Sequence, residues 1–210
     1  MISLREGIDP LQMLTNDSQV AEWQNERLPS DQISVENGGI ITQCQRWPLM
    51  IDPQLQGLRW LRRHEEVATE KNGRSLQLPP GRKSVRSSLA LPLLKHEEPV
   101  RGRRRKSQPD PKTSIVNWQA NWMKKVVVAI QNGDAVIIEN CPEDIDAALN
   151  PVLQRAVIRK GSNLFLRMGG EDCEYHPAFR LYLQSRLSNP HYRPEVFATC
   201  TLINFIVTER

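Results

Sequence analysis

Apolar positions in this chain fall into short runs punctuated by proline, glycine and asparagine, and the period of each run assigns its element. Trp47 to Ile51 is uninterrupted and ends at Asp52-Pro53; Leu55, Leu58, Trp60 and Leu61 then recur near every fourth residue and open a helix expected to reach about Glu66. Upstream, Asn16 or Asp17 is placed to cap a helix carrying Val20 and Trp23, and Ser30 to cap a second one. Gly38-Gly39 reads as a turn, after which Ile40, Ile41 and Cys44 lead into the strand at Trp47. Ser75 to Leu78 reads as a short strand. Ile115, Trp118, Trp122, Met123, Val126 and Ile130 form one stripe, predicting an amphipathic helix that Asn132-Gly133 stops.

Ala135 to Ile138 has no polar interruption, the pattern of a strand buried on both faces. Ile145, Leu149, Val152, Leu153 and Ala156 have helical spacing, broken at Asn150-Pro151, where a second helical piece starts. Leu164 to Arg167 and Cys173 to Tyr175 flank Met168-Gly169-Gly170-Glu171-Asp172, a hairpin signal. Phe179, Leu181 and Leu183 alternate with Arg180, Tyr182 and Gln184 in a strand ending before Asn189-Pro190, and Leu202 to Val207 is the last apolar run. Strands alternating with helices predict an α/β sheet, decorated by the hairpin.

Composition alters this picture in one segment. The 210 residues suit one domain with an insertion, and no apolar run approaches the roughly 20 residues of a membrane span. The N-terminus has no basic-then-apolar signal pattern, so a cytosolic chain is expected. From Pro79 to Pro111 periodicity vanishes and Pro, Gly, Ser and Arg dominate. Between Arg74 and Lys112 eleven Lys and Arg stand against Glu97, Glu98 and Asp110, a net +8 that leaves −4 for the rest of a +4 chain. The expected organisation is a lead-in over 1–32 and one domain over 33–210, interrupted by a disordered basic insertion at 79–112. Cys44, Cys141, Cys173 and Cys200 lack the spacing of a metal site and read as reduced thiols in or beside the core; no metal ligands are assigned.

Strand, tight turn and helix at Trp47 to Arg63 is the order that cradles phosphate in P-loop proteins. Laid over GxxGxGK[ST], the residues are Asp52, Pro53, Gln54, Leu55, Gln56, Gly57, Leu58 and Arg59. One glycine of three remains, Leu58 stands where a lysine would reach the phosphates, and Arg59 stands where a hydroxyl would bind Mg²⁺.

The motifs LPSDQISVENGG (Leu28–Gly39), RWPLMIDPQLQG (Arg46–Gly57), NGDAVIIEN (Asn132–Asn140), NPHYRPEV (Asn189–Val196) and TLINFIVTER (Thr201–Arg210) resemble, in this order, the dynein heavy chains. The resembling unit is the fifth AAA+ unit of the motor ring, and GIDPLQMLTND near the N-terminus looks axonemal. The resemblance implies the large subdomain of an AAA+ module: a P-loop NTPase-like, mostly parallel sheet flanked by helices. It places Glu139 and Asn140 at the Walker B acid positions, where Asn140 cannot act as a base, and Asn189 near the sensor asparagine. The degenerate nucleotide pocket so implied comprises Asp52, Pro53, Gln54, Gly57, Leu58, Arg59, Glu139, Asn140 and Asn189, with no catalytic residue.

The function implied is a non-catalytic module that serves microtubule-based movement only within the full ring. Its expected partners are neighbouring AAA+ units and other dynein chains, with microtubules engaged only indirectly, in cytoplasm and axoneme, and with no membrane. No cofactor is firmly implied. The alternatives are an ATP- and Mg-binding or hydrolysing unit, and a polyanion-binding fragment acting through Arg101 to Lys106, which lacks the interleaved aromatics that stack nucleic-acid bases. No stalk heptads, microtubule-binding domain or helical small subdomain follow within these residues, so exposed apolar surface is expected near Leu202 to Val207 and on the Trp118/Trp122 face.

Overall fold

The computed structural model describes residues 14–75, 113–117 and 122–206. The proposed insertion at 79–112, its Arg101–Lys106 tract and Trp118 lie outside them. So do residues 76–78 of the strand expected to begin at Ser75, whereas Ser75 itself is the last residue of a helix.

Asn16 caps helix α1 (Asp17–Asn25): its side chain accepts from the Gln19 amide while the Gln19 side chain accepts from the Asn16 amide. Helix α2 (Gln32–Gln43) starts one residue later than expected, with Asp31 as its cap. The turn expected at Gly38-Gly39 is instead helix interior. The reason is steric: a Cβ on Gly38 would stand 3.1 Å from Leu28 and 3.2 Å from Trp23, so glycine here lets α2 lie close against the lead-in segment.

Strand β1 (Trp47–Ile51) is followed by helix α3 (Gln56–Ser75). It runs beyond the apolar stripe because Ala68, Glu70 and Lys71 favour helix by intrinsic propensity. Strand β2 (Thr113–Asn117) takes Ile115 out of the expected helix, and α4 (Trp122–Asn132) starts later. Gly133, at φ +80°, ends α4 as expected, and strand β3 (Ala135–Glu139) is buried throughout. A 3₁₀ turn (Ala147–Leu149) and the short α5 (Asn150–Leu153) meet at the predicted Asn150-Pro151 break.

Strands β4 (Val157–Lys160), β5 (Asn163–Met168) and β6 (Glu171–Glu174) form a separate antiparallel sheet. The hairpin signal found β5 and β6, joined by Gly169 at φ +58° and Gly170 at φ +91°; β4 carried no signal because three of its four residues are exposed. Strand β7 (Arg180–Ser185), helix α6 (Pro194–Thr199) and strand β8 (Cys200–Asn204) complete the described chain.

The main sheet runs β2-β3-β7-β1-β8, every pair parallel, with Leu49 opposite Leu183 and Leu202, and Ile137 opposite Tyr182. Successive side chains enter opposite cores. On one face Leu49, Val136, Ile138, Leu181 and Leu183 pack with α4 and the β5–β6 hairpin. On the other Met50, Ala135, Ile137, Tyr182 and Ile203 pack with Trp23, Leu28, Leu58, Trp60 and Leu61. The alternation read in β7 therefore does not mark a wet face: Tyr182, Gln184 and Ser185 are buried too. Of the surface expected to be exposed at Leu202 to Val207 and on the Trp118/Trp122 face, Ile203, Phe205 and Trp122 are buried and Leu202 and Ile206 half-buried, while Val207 and Trp118 lie outside the described residues; the large exposed apolar residues include Ile33, Val128 and Phe197. Cys141, Cys173 and Cys200 are buried free thiols and Cys44 is partly buried.

Gly57 stands at the start of α3 with the Phe205 ring against it; an added Cβ would lie 2.9 Å from that ring. Gly57→Ala should lower the unfolding free energy by about 1–3 kcal/mol through overpacking, although alanine is the better helix former, and a Phe205→Leu background should reduce the loss. Urea unfolding midpoints read both effects. Gly170 has open space around its missing Cβ but a left-handed φ, so Gly170→Val should cost about 1–2 kcal/mol from backbone strain alone. An unchanged thermal midpoint for Gly170→Val would contradict the two-glycine turn.

Candidate functional site

Parallel sheets bind ligands at the carboxyl ends of their strands. Here that edge brings together Asp52 after β1, Glu139 and Asn140 at the end of β3, and Gln184 and Ser185 at the end of β7.

Asp52 is fully buried. Its Oδ1 accepts from the Gln56 amide and its Oδ2 from the Leu58 amide, both at 2.9 Å. A helix leaves its first N–H groups without intrahelical partners, and in a P-loop such groups meet phosphate. In this chain a carboxylate of the preceding turn meets them. Burial pushes the Asp52 carboxyl above its ordinary 3.8, and the amides of Leu58 and Gln56 pull it back only in part.

The turn holds one left-handed residue that is not glycine. Leu55, at a glycine position of the motif, holds φ +60°, and its amide donates to the Asp52 carbonyl at 3.3 Å. Left-handed geometry costs a leucine roughly 1–2 kcal/mol, offset by packing of its side chain against the Trp60 core. Pro53 is half-buried and Gln54 exposed, its Oε1 accepting from Gln56 Nε2 at 2.9 Å. Gly57 is explained by Phe205. Leu58 points into the core at 2% exposure, and Arg59 is exposed.

Glu139, which the resemblance sets at a Walker B acid position, is buried and ion-paired to Arg62 of α3. Asn140 takes φ +56°, and its amide donates to Gln184 Oε1 at 3.3 Å. Gln184 Nε2 in turn donates to the Asp52 carbonyl at 3.0 Å, and Ser185 Oγ to the Cys141 carbonyl at 3.0 Å. Asn189 is exposed in a bend beyond β7 and does not join this network. An open cleft of about 490 Å³ lies beside the network, lined by Asn140, Glu143, Ser185 and Arg186 among others.

Three residues of this network were not singled out in the sequence: Arg62, Gln184 and Ser185. The signal available for the last two was a pair of polar residues closing an otherwise apolar strand. A second buried polar group was also missed. Glu65, 2% exposed, accepts from Arg180 Nη2 and from the Tyr182 hydroxyl, both at 2.6 Å. Burial, and then the Glu65 carboxylate beside it, raise the Tyr182 phenol well above its ordinary range.

The residues at the carboxyl edge do not fit Mg-ATP. Two helix amides that would face phosphate are taken by Asp52, the lysine position is a core leucine, and the one acid placed for a metal is neutralised by Arg62. Among the described residues, no cluster of three or more His, Cys, Asp or Glu has metal-binding geometry, and no helix is long and apolar enough to cross a membrane.

Comparison with known proteins assigns the family. The family model of the ATP-binding dynein motor region matches residues 21–210. The chain is 39% identical over 209 residues to the dynein beta chain of the flagellar outer arm of Chlamydomonas reinhardtii, covering 100% of this chain and 4% of that protein. It is 41% identical over 207 residues to the ciliary dynein beta chain of Heliocidaris crassispina, with 99% of this chain and 4% of that protein covered. Identity to human dynein axonemal heavy chain 9 is 40% over 207 residues, again 99% of this chain and 4% of the relative. The chain thus spans about 4% of the length of the curated relatives it matches. Its mostly parallel, helix-flanked sheet is the α/β AAA+ fold, and the chain belongs to the dynein heavy chains, as a stretch of their ATP-binding motor region.

Proposed function

We propose that this stretch is a non-catalytic AAA+ module, corresponding to the fifth unit of an axonemal-type dynein ring, that transmits conformational change between ring neighbours. Its contribution to microtubule-based movement is made only within the complete heavy chain. The observation that carries this reading is the buried Asp52 carboxylate on the Gln56 and Leu58 amides, an internal anion at the place where phosphate would bind. The Arg62–Glu139 pair supports it by supplying the positive charge that a metal would otherwise bring. With the Asp52 carboxylate, the Asp52 carbonyl, the Gln184 side chain and the Asn140 amide hydrogen-bonded across it, the carboxyl edge acts as a rigid joint between β1, β3 and β7. Its partners are the neighbouring AAA+ units and other dynein chains, and its place is the ciliary or flagellar axoneme, the setting named for two of the relatives.

The second reading, a nucleotide-binding unit, is favoured by the open cleft beside Asn140 and Ser185 and by the family's ATP-binding description. Calorimetry with Mg-ATP separates the two. The joint reading expects no saturable heat up to millimolar nucleotide, and a micromolar-affinity isotherm would overturn it.

Asp52 also gives a pH signature. Because its folded-state value is raised, the native chain holds this proton at pH values where the unfolded chain has lost it. Stability of the wild type relative to Asp52→Asn should therefore be greatest below the ordinary carboxylate value of 3.8, and fall as pH rises through the raised folded value. Urea unfolding of both proteins from pH 3 to pH 7 (about one unit per step) measures the difference; a gap that widens with pH would reverse the assignment.

A further inference from the structure

At the opposite, amino-terminal edge of the main sheet lies a concavity of about 240 Å³ whose lining includes three arginines, Arg46, Arg155 and Arg180, and no acidic residue. Aromatic rings form its wall. Trp47 and Phe179 meet edge to face at 5.8 Å, and Tyr175 stands 6.2 Å from Phe179. Nothing in the degenerate nucleotide site, at the other end of the strands, reaches it.

The three guanidinium groups are not equivalent. Arg180 is neutralised by Glu65 behind it at 2.6 Å. Arg46 donates to the Phe197 carbonyl at 3.3 Å, and among the described residues it meets no carboxylate. Arg155 sits over the Trp47 ring, its Cζ 3.9 Å from the centroid. It too has no carboxylate partner among the described residues. Its backbone is held at φ +49°, a conformation that costs a side-chain-bearing residue energy and persists only where surroundings fix it. The Trp47 platform is fixed in turn, because its indole N–H donates to the Val152 carbonyl at 2.8 Å.

Stacking leaves a guanidinium's in-plane N–H donors free, and a planar fork of such donors matches an oxyanion bidentately. Helix α2 ends at this concavity, and a helix C-terminus would repel an anion. That end is capped, however: the Cys44 amide donates to the Ile40 carbonyl at 2.8 Å, and the Cys44 thiol contacts the Ile41 carbonyl at 3.6 Å. The volume is below the roughly 300 Å³ at which ligand pockets begin, too small for a nucleoside but sufficient for a carboxylate or phosphate group.

We propose that this arginine-lined concavity is an oxyanion-binding site, in which Arg155 and Arg46 clasp a carboxylate or phosphate group against the Trp47 and Phe179 rings. The oxyanion has two sources, an acidic side chain of a neighbouring polypeptide or a free phosphate.

The test is an NMR titration of the full chain at constant ionic strength, following the Trp47 indole N–H. N-acetylaspartate amide stands in for an acidic side chain, inorganic phosphate is the free anion, and sodium chloride is the control. The expected result is a saturable shift at millimolar concentration for at least one oxyanion and none for chloride. N-acetylaspartate amide alone saturating assigns the site to a protein carboxylate, and phosphate alone saturating assigns it to the free anion; saturation by both supports the shared chemistry. Replacing both arginines (Arg46→Gln with Arg155→Gln) should weaken binding by about tenfold or more, and Arg155→Lys, which keeps the charge but loses the fork, should weaken it less. Neutralising Arg103, Arg104 and Arg105 in the basic tract should leave the Trp47 titration unchanged. A shift that stays linear, that chloride reproduces, or that survives in the double variant overturns the proposal. Arg46 and Arg155 are both exposed, so an unchanged spectrum elsewhere certifies that their variants are folded.

Discussion

A buried carboxylate cannot be left without hydrogen-bond donors, and the way Asp52 meets that constraint organises the carboxyl edge of the sheet. Its two oxygens take the Gln56 and Leu58 amides, which fixes where α3 begins and how it leaves β1. The Asp52 carbonyl takes Gln184, and Gln184 takes the Asn140 amide, so three strand ends are joined through one turn. A hydrogen bond to an ionised group is stronger than a neutral one, and it is stronger still away from water. The turn is held by this network.

The same economy of charge recurs beside it. Glu139 meets Arg62, Glu65 meets Arg180 and Tyr182, and Glu26 meets His64 at 2.7 Å, all on or against α3. Each acid is buried, and burial of an unpaired charge would cost several kcal/mol or shift it to neutral. Helix α3 thus does two things: its apolar stripe covers one face of the sheet through Leu58, Trp60 and Leu61, and its polar positions ion-pair Glu139 of β3, hydrogen-bond Glu26 at the end of the lead-in helix, and link to β7. At the other end of the strands the positive charges of Arg46 and Arg155 are not neutralised within the described residues.

Most of the sheet was legible because strands covered on both faces must be apolar without interruption, as Trp47 to Ile51 and Ala135 to Ile138 are. Asn132-Gly133, Asn150-Pro151 and Gly169-Gly170 marked boundaries because each imposes a backbone geometry locally. Errors arose where a residue's role was set by something distant. Gly38-Gly39 looked like a turn, but Gly38 is needed for contact with Trp23 and Leu28. Ile115 continued a helical stripe by spacing, yet pairs with Ile137 in the sheet. Strand β4 had no apolar pattern because it lies at the edge of a small exposed sheet, where pairing with β5 alone holds it.

The sequence by itself determined the strand–turn–helix order at Trp47 to Arg63 and the family, since these are written in residue types at fixed spacing. Only the tertiary structure decided how that turn is held. That Leu55 takes a left-handed backbone, that Phe205 leans on Gly57, and that Asp52 meets the α3 amides while Arg62 meets Glu139 all depend on contacts between elements. Phe205 is 148 positions from Gly57 along the chain and Glu139 is 77 from Arg62. Local periodicity carries no record of such meetings; close packing of the folded chain creates them.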